Sequence, residues 1–136
     1  MADYTVTAAN VLASAGSSKA TGVSGVNLTA GQLLAQDVDG TIKLADANGA
    51  APFNVVVGIA LHASLAGQPI AYVTFDPSFR PGITLAAIGD CVIASGNPGN
   101  MCPDSDKAAG WFVTEIGRAI STTLIRIQLL SGGIAR

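Results

Sequence analysis

The stretch Thr123-Leu-Ile-Arg-Ile-Gln-Leu-Leu130 carries the clearest fold signal in the chain. Ile125, Ile127 and Leu129 occupy alternate positions, and the residues between them are Arg and Gln. Successive side chains of a β-strand point to opposite faces of the sheet. The stretch therefore predicts a strand with one buried face and one face toward solvent.

Other parts of the chain show the same character. Thr41-Ile-Lys-Leu-Ala45 alternates similarly, and residues 53–61 and 68–75 predict more fully buried strands. Turn signals such as Asp39-Gly40 and Asn97-Pro-Gly-Asn100 recur between them. Helix formers are scarce, with a single Glu and only three Lys. We therefore predict an all-β fold, a small β-sandwich or barrel.

The sequence also contains an apparent internal repeat. Ala30-Gly-Gln-Leu-Leu-Ala35 aligns with Ile88-Gly-Asp-Cys-Val-Ile93, and Phe53-Asn-Val-Val-Val-Gly-Ile-Ala-Leu61 aligns with Phe112-Val-Thr-Glu-Ile-Gly-Arg-Ala-Ile120. Two such units predict a pseudo-symmetric sandwich or barrel. The alternative is chance similarity between Ala- and Gly-rich strands. Gly58 and Gly117 occupy the same position in the second pair of aligned stretches, and each predicts a bulge or a tight corner.

The first part of the chain differs in composition. Its small and polar residues cannot build a core, so we predict an extended N-terminal arm over residues 1–27 and a β-rich core domain over residues 28–136. Within the arm we expect a short strand at Tyr4-Thr-Val-Thr7 and a flexible loop after Leu12. A disordered terminus is the alternative.

Length and charge exclude several classes of protein. A chain of 136 residues is long enough for one domain, and its apolar character argues against disorder. A net charge of -2 disfavours nucleic-acid binding, and no apolar run is long enough to span a membrane. The acidic start does not resemble a secretory signal, so we expect synthesis in a cytoplasm. With only 12% charged residues, the surface is expected to be covered by a partner or by further copies.

A search for catalytic or ligand-binding residues finds no complete site. His62 is the only histidine, and only Ser64 offers a nucleophile nearby. Asp37-Val-Asp-Gly40 begins like a calcium loop but lacks the later ligands, which favours a hairpin turn. Asp104-Ser-Asp106 is either a weak cation site or a solvated loop. Gly96-Asn-Pro-Gly99 does not match a phosphate-binding loop. We predict no enzyme, no metal and no cofactor.

The two cysteines fit no metal-binding spacing. Cys91 aligns with an apolar position of the repeat, which favours a buried and inert thiol. Cys102 follows a Pro-Gly turn and is predicted to lie in a loop. A bridge between them is sterically possible but uncommon in a cytoplasmic protein.

The stretch Phe75-Asp-Pro-Ser-Phe-Arg-Pro-Gly82 is predicted to be a loop that exposes aromatic surface. Its prolines would reduce the entropy lost when it binds a partner. The alternative is that Phe75 ends a strand and Phe79 plugs one end of a barrel. Both alternatives remain open from the sequence.

A series of short phrases runs in order over nearly the whole chain: Asp3-Tyr-Thr-Val-Thr-Ala-Ala-Asn10, Thr29-Ala-Gly-Gln32, Asp39-Gly40, Lys43-Leu-Ala-Asp-Ala47, Val57-Gly-Ile-Ala60, Ala66-Gly-Gln-Pro69, Ile116-Gly-Arg-Ala-Ile-Ser121 and Ser131-Gly-Gly-Ile-Ala-Arg136. Their order and spacing resemble the small capsid cement, or head decoration, proteins of tailed bacteriophages. The chain departs from that pattern at residues 75–82 and 97–103.

The resemblance implies a non-enzymatic virion protein, usually a homotrimer, that binds the outer surface of the expanded head and stabilises the capsid. Its partners would be the major capsid protein and further copies of itself, with no nucleic acid and no membrane. The arm could add a strand to an edge of the coat protein. Candidate contact residues, to the capsid or between subunits, are Tyr4, Val6, Val11, Leu12, Phe75, Phe79 and Arg80.

Two alternatives stay open. A tail or fibre component of a virion would share the β-rich and weakly charged character. A small-molecule-binding β-barrel or an enzyme subunit would instead require a polar-lined cavity, whereas the predicted inward faces carry Ile, Val, Leu and Ala.

Overall fold

The computed structural model describes residues 3–49, 52–106 and 108–135. The fold is all-β, as predicted, with one antiparallel sheet curled into a half-barrel. The ten strands are β1 (Val11–Leu12), β2 (Ser18–Val23), β3 (Leu33–Gln36), β4 (Ile42–Leu44), β5 (Gly58–Ala60), β6 (Pro69–Pro81), β7 (Cys91–Ala94), β8 (Met101–Pro103), β9 (Phe112–Ala119) and β10 (Ile125–Ala135). Two short 3₁₀ turns lie at Ala8–Asn10 and Asp104–Asp106.

The order of the strands confirms the predicted repeat. Eight of them lie side by side in the order β4-β3-β5-β6-β10-β9-β7-β8. The last four strands repeat the arrangement of the first four in reverse order. β3 to β6 form the first half of the sheet and β7 to β10 form the second half. The two halves meet where β6 pairs with β10. β3, β4, β5 and β6 therefore correspond in position to β7, β8, β9 and β10, respectively.

The register is also repeated. Leu34 lies opposite Gly58 in the first half, and Val92 lies opposite Gly117 in the second. The turn that precedes each unit is closed in the same way, because Thr29 N–H donates to Gln32 Oε1 and Ala87 N–H to Asp90 Oδ2, both at 2.9 Å. The similarity is therefore structural and not a coincidence of composition.

The two equivalent glycines mark places where strands approach closely. A Cβ on Gly117 would lie 2.2 Å from the carbonyl oxygen of Arg126, and a Cβ on Gly58 would lie 2.6 Å from that of Val73. The β7–β9 register shifts beside Gly117. The predicted bulge or tight corner is thus confirmed at Gly117, and both positions lack room for a side chain.

The core is unequally shared between the halves. The first half buries both faces of its sheet: one face joins the large core cluster through Leu33, Ile59 and Val73, and the other forms a smaller cluster around Leu34 and Ile42. The second half contributes one face of its sheet to the large cluster, through Val92, Met101, Ile116, Ile125 and Ile127. The face of β9 and β10 that points away from this cluster is therefore available at the surface.

The prediction that residues 75–82 form a loop is wrong, because β6 runs through to Pro81. Backbone pairing with β10 and β1 extends the strand beyond the stretch predicted from residues 68–75. The prolines are tolerated because Pro69 and Pro81 are terminal residues of the strand. Pro77 lies within the register shift between β6 and β10, where regular pairing is interrupted.

The N-terminal segment, residues 3–27, is more ordered than predicted. β2 pairs with β6 over the region where we expected a flexible loop. Leu12 pairs with Arg80 and Lys19 pairs with Val73, so the two pairs are seven residues apart on both chain segments. β1 and most of β2 therefore share one register with β6, apart from a local shift between Ser18 and Lys19. A strand of small, polar residues forms here because backbone pairing alone is sufficient at a sheet edge.

Several local predictions need correction. Residues 4–7 form no strand, because the amides of Tyr4 and Thr7 bond to separate carbonyls, those of Met101 and Gly82. Within residues 53–61 only Gly58–Ala60 forms a strand, β5. Cys102 lies in β8 and is buried, not in a loop. The strand predicted at residues 123–130 is confirmed and continues to Ala135.

Candidate functional site

An exposed sheet face crosses β1, β6, β10 and β9. Ile125 and Phe79 are cross-strand partners, and both are completely buried. Neighbouring residues in a strand point to opposite faces, so Arg126 and Arg80 project away from the core. Both arginines are exposed. This outward side of the sheet therefore carries exposed arginine side chains.

Cross-strand partners extend the same face in both directions, because opposed residues of an antiparallel pair share a side. Leu12 lies opposite Arg80 and is 66% exposed. Phe75 lies opposite Gln128 and is 37% exposed. Arg118 lies opposite Arg126. We call this surface the arginine face, and it consists of Leu12, Phe75, Arg80, Arg118, Arg126 and Gln128.

The centre of the arginine face is a shallow cavity of about 350 Å³ lined by Glu115, Gly117, Arg118, Arg126 and Gln128. Arg118 Nε lies 2.9 Å from Glu115 Oε1. The guanidinium of Arg118 remains largely exposed, so this ion pair contributes little to stability. The cavity therefore presents two arginines, one carboxylate and one amide.

Three of the predicted contact residues, Leu12, Phe75 and Arg80, lie together on this face. Phe79 does not: it is 0% exposed and belongs to the large core cluster. Of the two alternatives that the sequence left open for Phe79, the structure favours the core. A side chain enclosed by its own chain cannot contact a partner, so the prediction of Phe79 as a contact residue is wrong.

The other predicted contact residues, Tyr4, Val6 and Val11, are half-buried and pack against the large core cluster. The amide of Tyr4 donates to the carbonyl of Met101 at 2.9 Å. Val6 and Val11 close over Gly31, where a Cβ would lie 2.5 and 3.1 Å from their methyl groups. These residues attach the N-terminal segment to the core.

A buried carboxylate fixes the middle of the N-terminal segment. Asp76 is fully buried and accepts hydrogen bonds from the amide of Ser14, at 2.7 Å, and from its hydroxyl. The amide of Ser78 donates to the same carboxylate at 2.9 Å. These donors compensate for the burial of a charge. Nothing in the local sequence signalled this role, because Asp76 lies among prolines that predicted a loop.

A second carboxylate fixes the start of the segment. Asp3 accepts hydrogen bonds from Ser95 Oγ at 2.6 Å, Asn97 Nδ2 at 2.8 Å and Asn100 Nδ2 at 3.0 Å. Partial burial acts to raise the pKa of Asp3, but the hydrogen bonds from Ser95, Asn97 and Asn100 outweigh it and lower the pKa. Asp3 thereby joins the N-terminus to the β7–β8 hairpin.

A larger surface cavity of about 560 Å³ lies beside β7 and β8, with Tyr4, Leu85, Asp90, Cys91 and Pro103 among its lining residues. Burial, followed by the charge of Glu115, raises the pKa of the Cys91 thiol to about 11. A thiol with that pKa is almost entirely protonated at neutral pH and is a poor nucleophile. Both Cys91 and Cys102 are free in the structure.

The remaining candidates have local structural roles. His62 Nε2 accepts a hydrogen bond from the amide of Ala71 at 3.0 Å. The Asp37–Gly40 stretch is the predicted hairpin turn between β3 and β4, where Lys43 Nζ contacts Asp37 at 2.5 Å. The hydrogen bond from Lys43 lowers the pKa of Asp37. Over the described ranges, no group of three or more His, Cys, Asp or Glu residues could hold a metal ion.

No helix in the described part of the chain has the length and apolarity needed to cross a membrane.

Sequence reasoning missed Arg118, Arg126 and Gln128 as site residues. The alternation in residues 123–130 did show that Arg126 and Gln128 point away from the core. The missing signal was the pairing of β9 with β10, which places Arg118 directly opposite Arg126. A short turn between these two strands, at residues 120–124, is the feature that could have revealed it.

No protein-family model and no curated protein sequence matches this chain. Among solved structures, it is similar to the head fiber gp8.5 N base in bacteriophage phi29. The two share 18% sequence identity with a TM-score of 0.47, and the match covers 82% of this chain and 94% of that chain. At this level of similarity, function has to be argued from the residues of the site.

Proposed function

We propose that this protein is a non-enzymatic structural component of a tailed-phage virion that binds the outer surface of the expanded head and stabilises the capsid. The observation that carries the proposal is the arginine face, an exposed surface that combines apolar, amide and cationic side chains on a rigid sheet. The sequence resemblance to capsid cement proteins supplies the expected partner, the major capsid protein.

The chemistry of the described residues supports a binding role. The one histidine is used in a backbone hydrogen bond, and the cysteine beside the larger cavity has a raised pKa. The arginine face, by contrast, exposes Leu12 and Phe75 beside charged groups. Arg and aromatic residues are enriched at protein interfaces relative to the rest of the surface. Arginine and aromatic side chains are also enriched among the residues that dominate binding energy.

We further propose that the protein acts as a homotrimer. Three linked copies convert the second and third contacts with the head into intramolecular events, which raises the overall affinity without stronger individual contacts. Because the backbone of the N-terminal segment is bonded to the core at Tyr4, Thr7 and β1, the contact with the capsid is expected to use side chains. Strand addition by this segment is not part of the proposal.

The test is co-sedimentation of the purified protein with expanded and unexpanded phage heads that lack it. We expect saturable binding to the expanded heads, and about tenfold weaker binding of the Phe75→Ser variant. Val38→Ser is the matched control, because Val38 is 90% exposed and lies outside the arginine face. Binding to neither form of the head would overturn the proposal and favour a tail or fibre component instead.

A further inference from the structure

We infer that the arginine face binds an acidic, extended segment of another protein chain, whose carboxylates lie between Arg118 and Arg126. This deepens the proposed function and rests on its use of the arginine face as a contact surface. It adds the chemistry of the partner, which neither the fold nor the resemblance supplies.

The first argument is the distribution of charge. The chain carries 7 Lys and Arg residues against 9 Asp and Glu, so it is acidic as a whole. Arg80, Arg118 and Arg126 nevertheless lie on one sheet face, where each is exposed. A local cationic surface on an acidic protein complements an anionic partner, and it steers such a partner toward one region of the molecule.

The second argument is the direct opposition of two like charges. Arg118 and Arg126 are cross-strand partners, and like charges in that position destabilise a sheet. The equivalent positions of the first half carry Ile59 and Val73, which are adjacent partners of the same kind. The fold therefore does not require arginines there. Glu115 contacts Nε of Arg118, and a guanidinium has further N–H donors. A carboxylate bound between the two arginines would reduce their repulsion further and accept charge-assisted hydrogen bonds from both.

The third argument is the shape of the surface. Arg118, Arg126 and Gln128 line the cavity, and the backbone of Gly117 lies between them. The contact between Arg118 Nε and Glu115 orients one guanidinium along the cavity wall. Phe75 and Leu12 provide apolar surface next to the charged centre. A peptide segment with alternating acidic and apolar side chains fits this arrangement.

Nucleic acid fits it less well. Affinity for a phosphate backbone comes from many Lys and Arg contacts, and the arginine face offers three arginines together with the carboxylate of Glu115. An acidic protein segment has fewer charges to neutralise and can use the apolar side chains at the periphery.

The experiment measures fluorescence anisotropy of a labelled oligoglutamate peptide at low and moderate ionic strength. We expect saturable binding to the full chain that weakens as salt is added. The double variant Arg118→Gln, Arg126→Gln should bind at least about tenfold more weakly. The matched control, Lys19→Gln with Lys43→Gln, removes the same charge from outside the arginine face and should bind like the unmodified protein. Circular dichroism of each variant verifies that the fold is intact.

Three results would overturn the inference: no binding of the peptide, equal loss in both double variants, or tighter binding of a single-stranded DNA of equal charge. The outcome is separable from that of the head-binding test. Peptide binding without head binding would remove the proposed function and leave the acidic partner. Head binding that is unchanged in the arginine variant would leave the function and remove the acidic partner.

Discussion

The two halves of the sheet share strand order and register but use their outer positions differently. Ile59 and Val73 are buried in the first half, whereas their equivalents Arg118 and Arg126 are exposed in the second. Within the large core cluster, a face of the first half packs against the non-equivalent face of the second. The two halves therefore bury opposite faces of their sheets. The face that is buried at Ile59 and Val73 in the first half is exposed in the second half and available for contacts.

Exchanging residues between equivalent positions tests most directly whether the two halves differ in their contribution to stability. Ile59→Arg places a charge in the large core cluster, and we expect a loss of ~4 kcal/mol or more in the free energy of unfolding. Arg118→Ile, the reciprocal change, should alter it by only ~0.5 kcal/mol, because the position is exposed. Urea unfolding measures both. Equal effects of the two substitutions would contradict the unequal roles of the halves.

A second prediction concerns the close approach that the halves have in common. Gly117→Ala should destabilise the protein by about 2–3 kcal/mol, because its Cβ would meet the backbone of β10. Gly16→Ala is the control, since a Cβ there lies 3.2 Å from a ring carbon of Pro77 and the backbone is not left-handed. Thermal unfolding of both variants is the measurement. A tolerated alanine at residue 117 would show that β9 and β10 can separate.

The N-terminal segment, which has no counterpart in the second half, provides the third prediction. Asp76→Asn keeps the shape of the side chain but removes the charge that accepts bonds from Ser14 and Ser78. We expect a loss of about 2 kcal/mol, in the range for hydrogen bonds to charged groups. Hydrogen exchange should accelerate in β1 and β2 more than in β9. Uniform acceleration across the sheet would show that Asp76 stabilises the whole fold and not this attachment.

The smallest predicted effect is a dependence on acid. The pKa of Asp3 is lowered in the folded state, so its ionised form contributes stability above the unfolded pKa of ~3.9, and this contribution is lost as pH falls further. Because Asp3 is only partly buried and solvent screens its contacts, the effect should be below ~1 kcal/mol. Asp3→Asn should flatten the pH dependence of unfolding between about pH 5 and 3. An unchanged pH profile would assign the acid sensitivity to other carboxylates.

The repeat and the alternation of residues 123–130 made the fold class predictable, because both depend on local periodicity. The length of β6 was not predictable, since its continuation past Phe75 depends on partners that lie far away in sequence. β2 was missed for the same reason. Small polar residues such as those of β2 give no hydrophobic pattern, and only the neighbouring backbone of β6 makes them a strand.

The arginine face was only partly accessible to sequence reasoning. Phe75 and Arg80 were chosen because residues 75–82 were predicted to be a loop that exposes aromatic surface. The structure instead places them on one face with Leu12 through the pairing of β6 with β1 and β10. Phe79 could not be separated from Phe75 by sequence, because both flank the same prolines. The register shift around Pro77 determines which of the two aromatic rings is enclosed.

The attachment of Asp3 to Asn100 joins groups that are 97 residues apart in the chain. At a synthesis rate of roughly 5–20 residues per second, the N-terminus waits about 5–20 s on the ribosome before its binding site exists. Contacts of such long sequence separation also slow folding. Residues 125–128 of β10 are made later still, so the edge of β6 that pairs with them stays uncovered in the nascent chain until then.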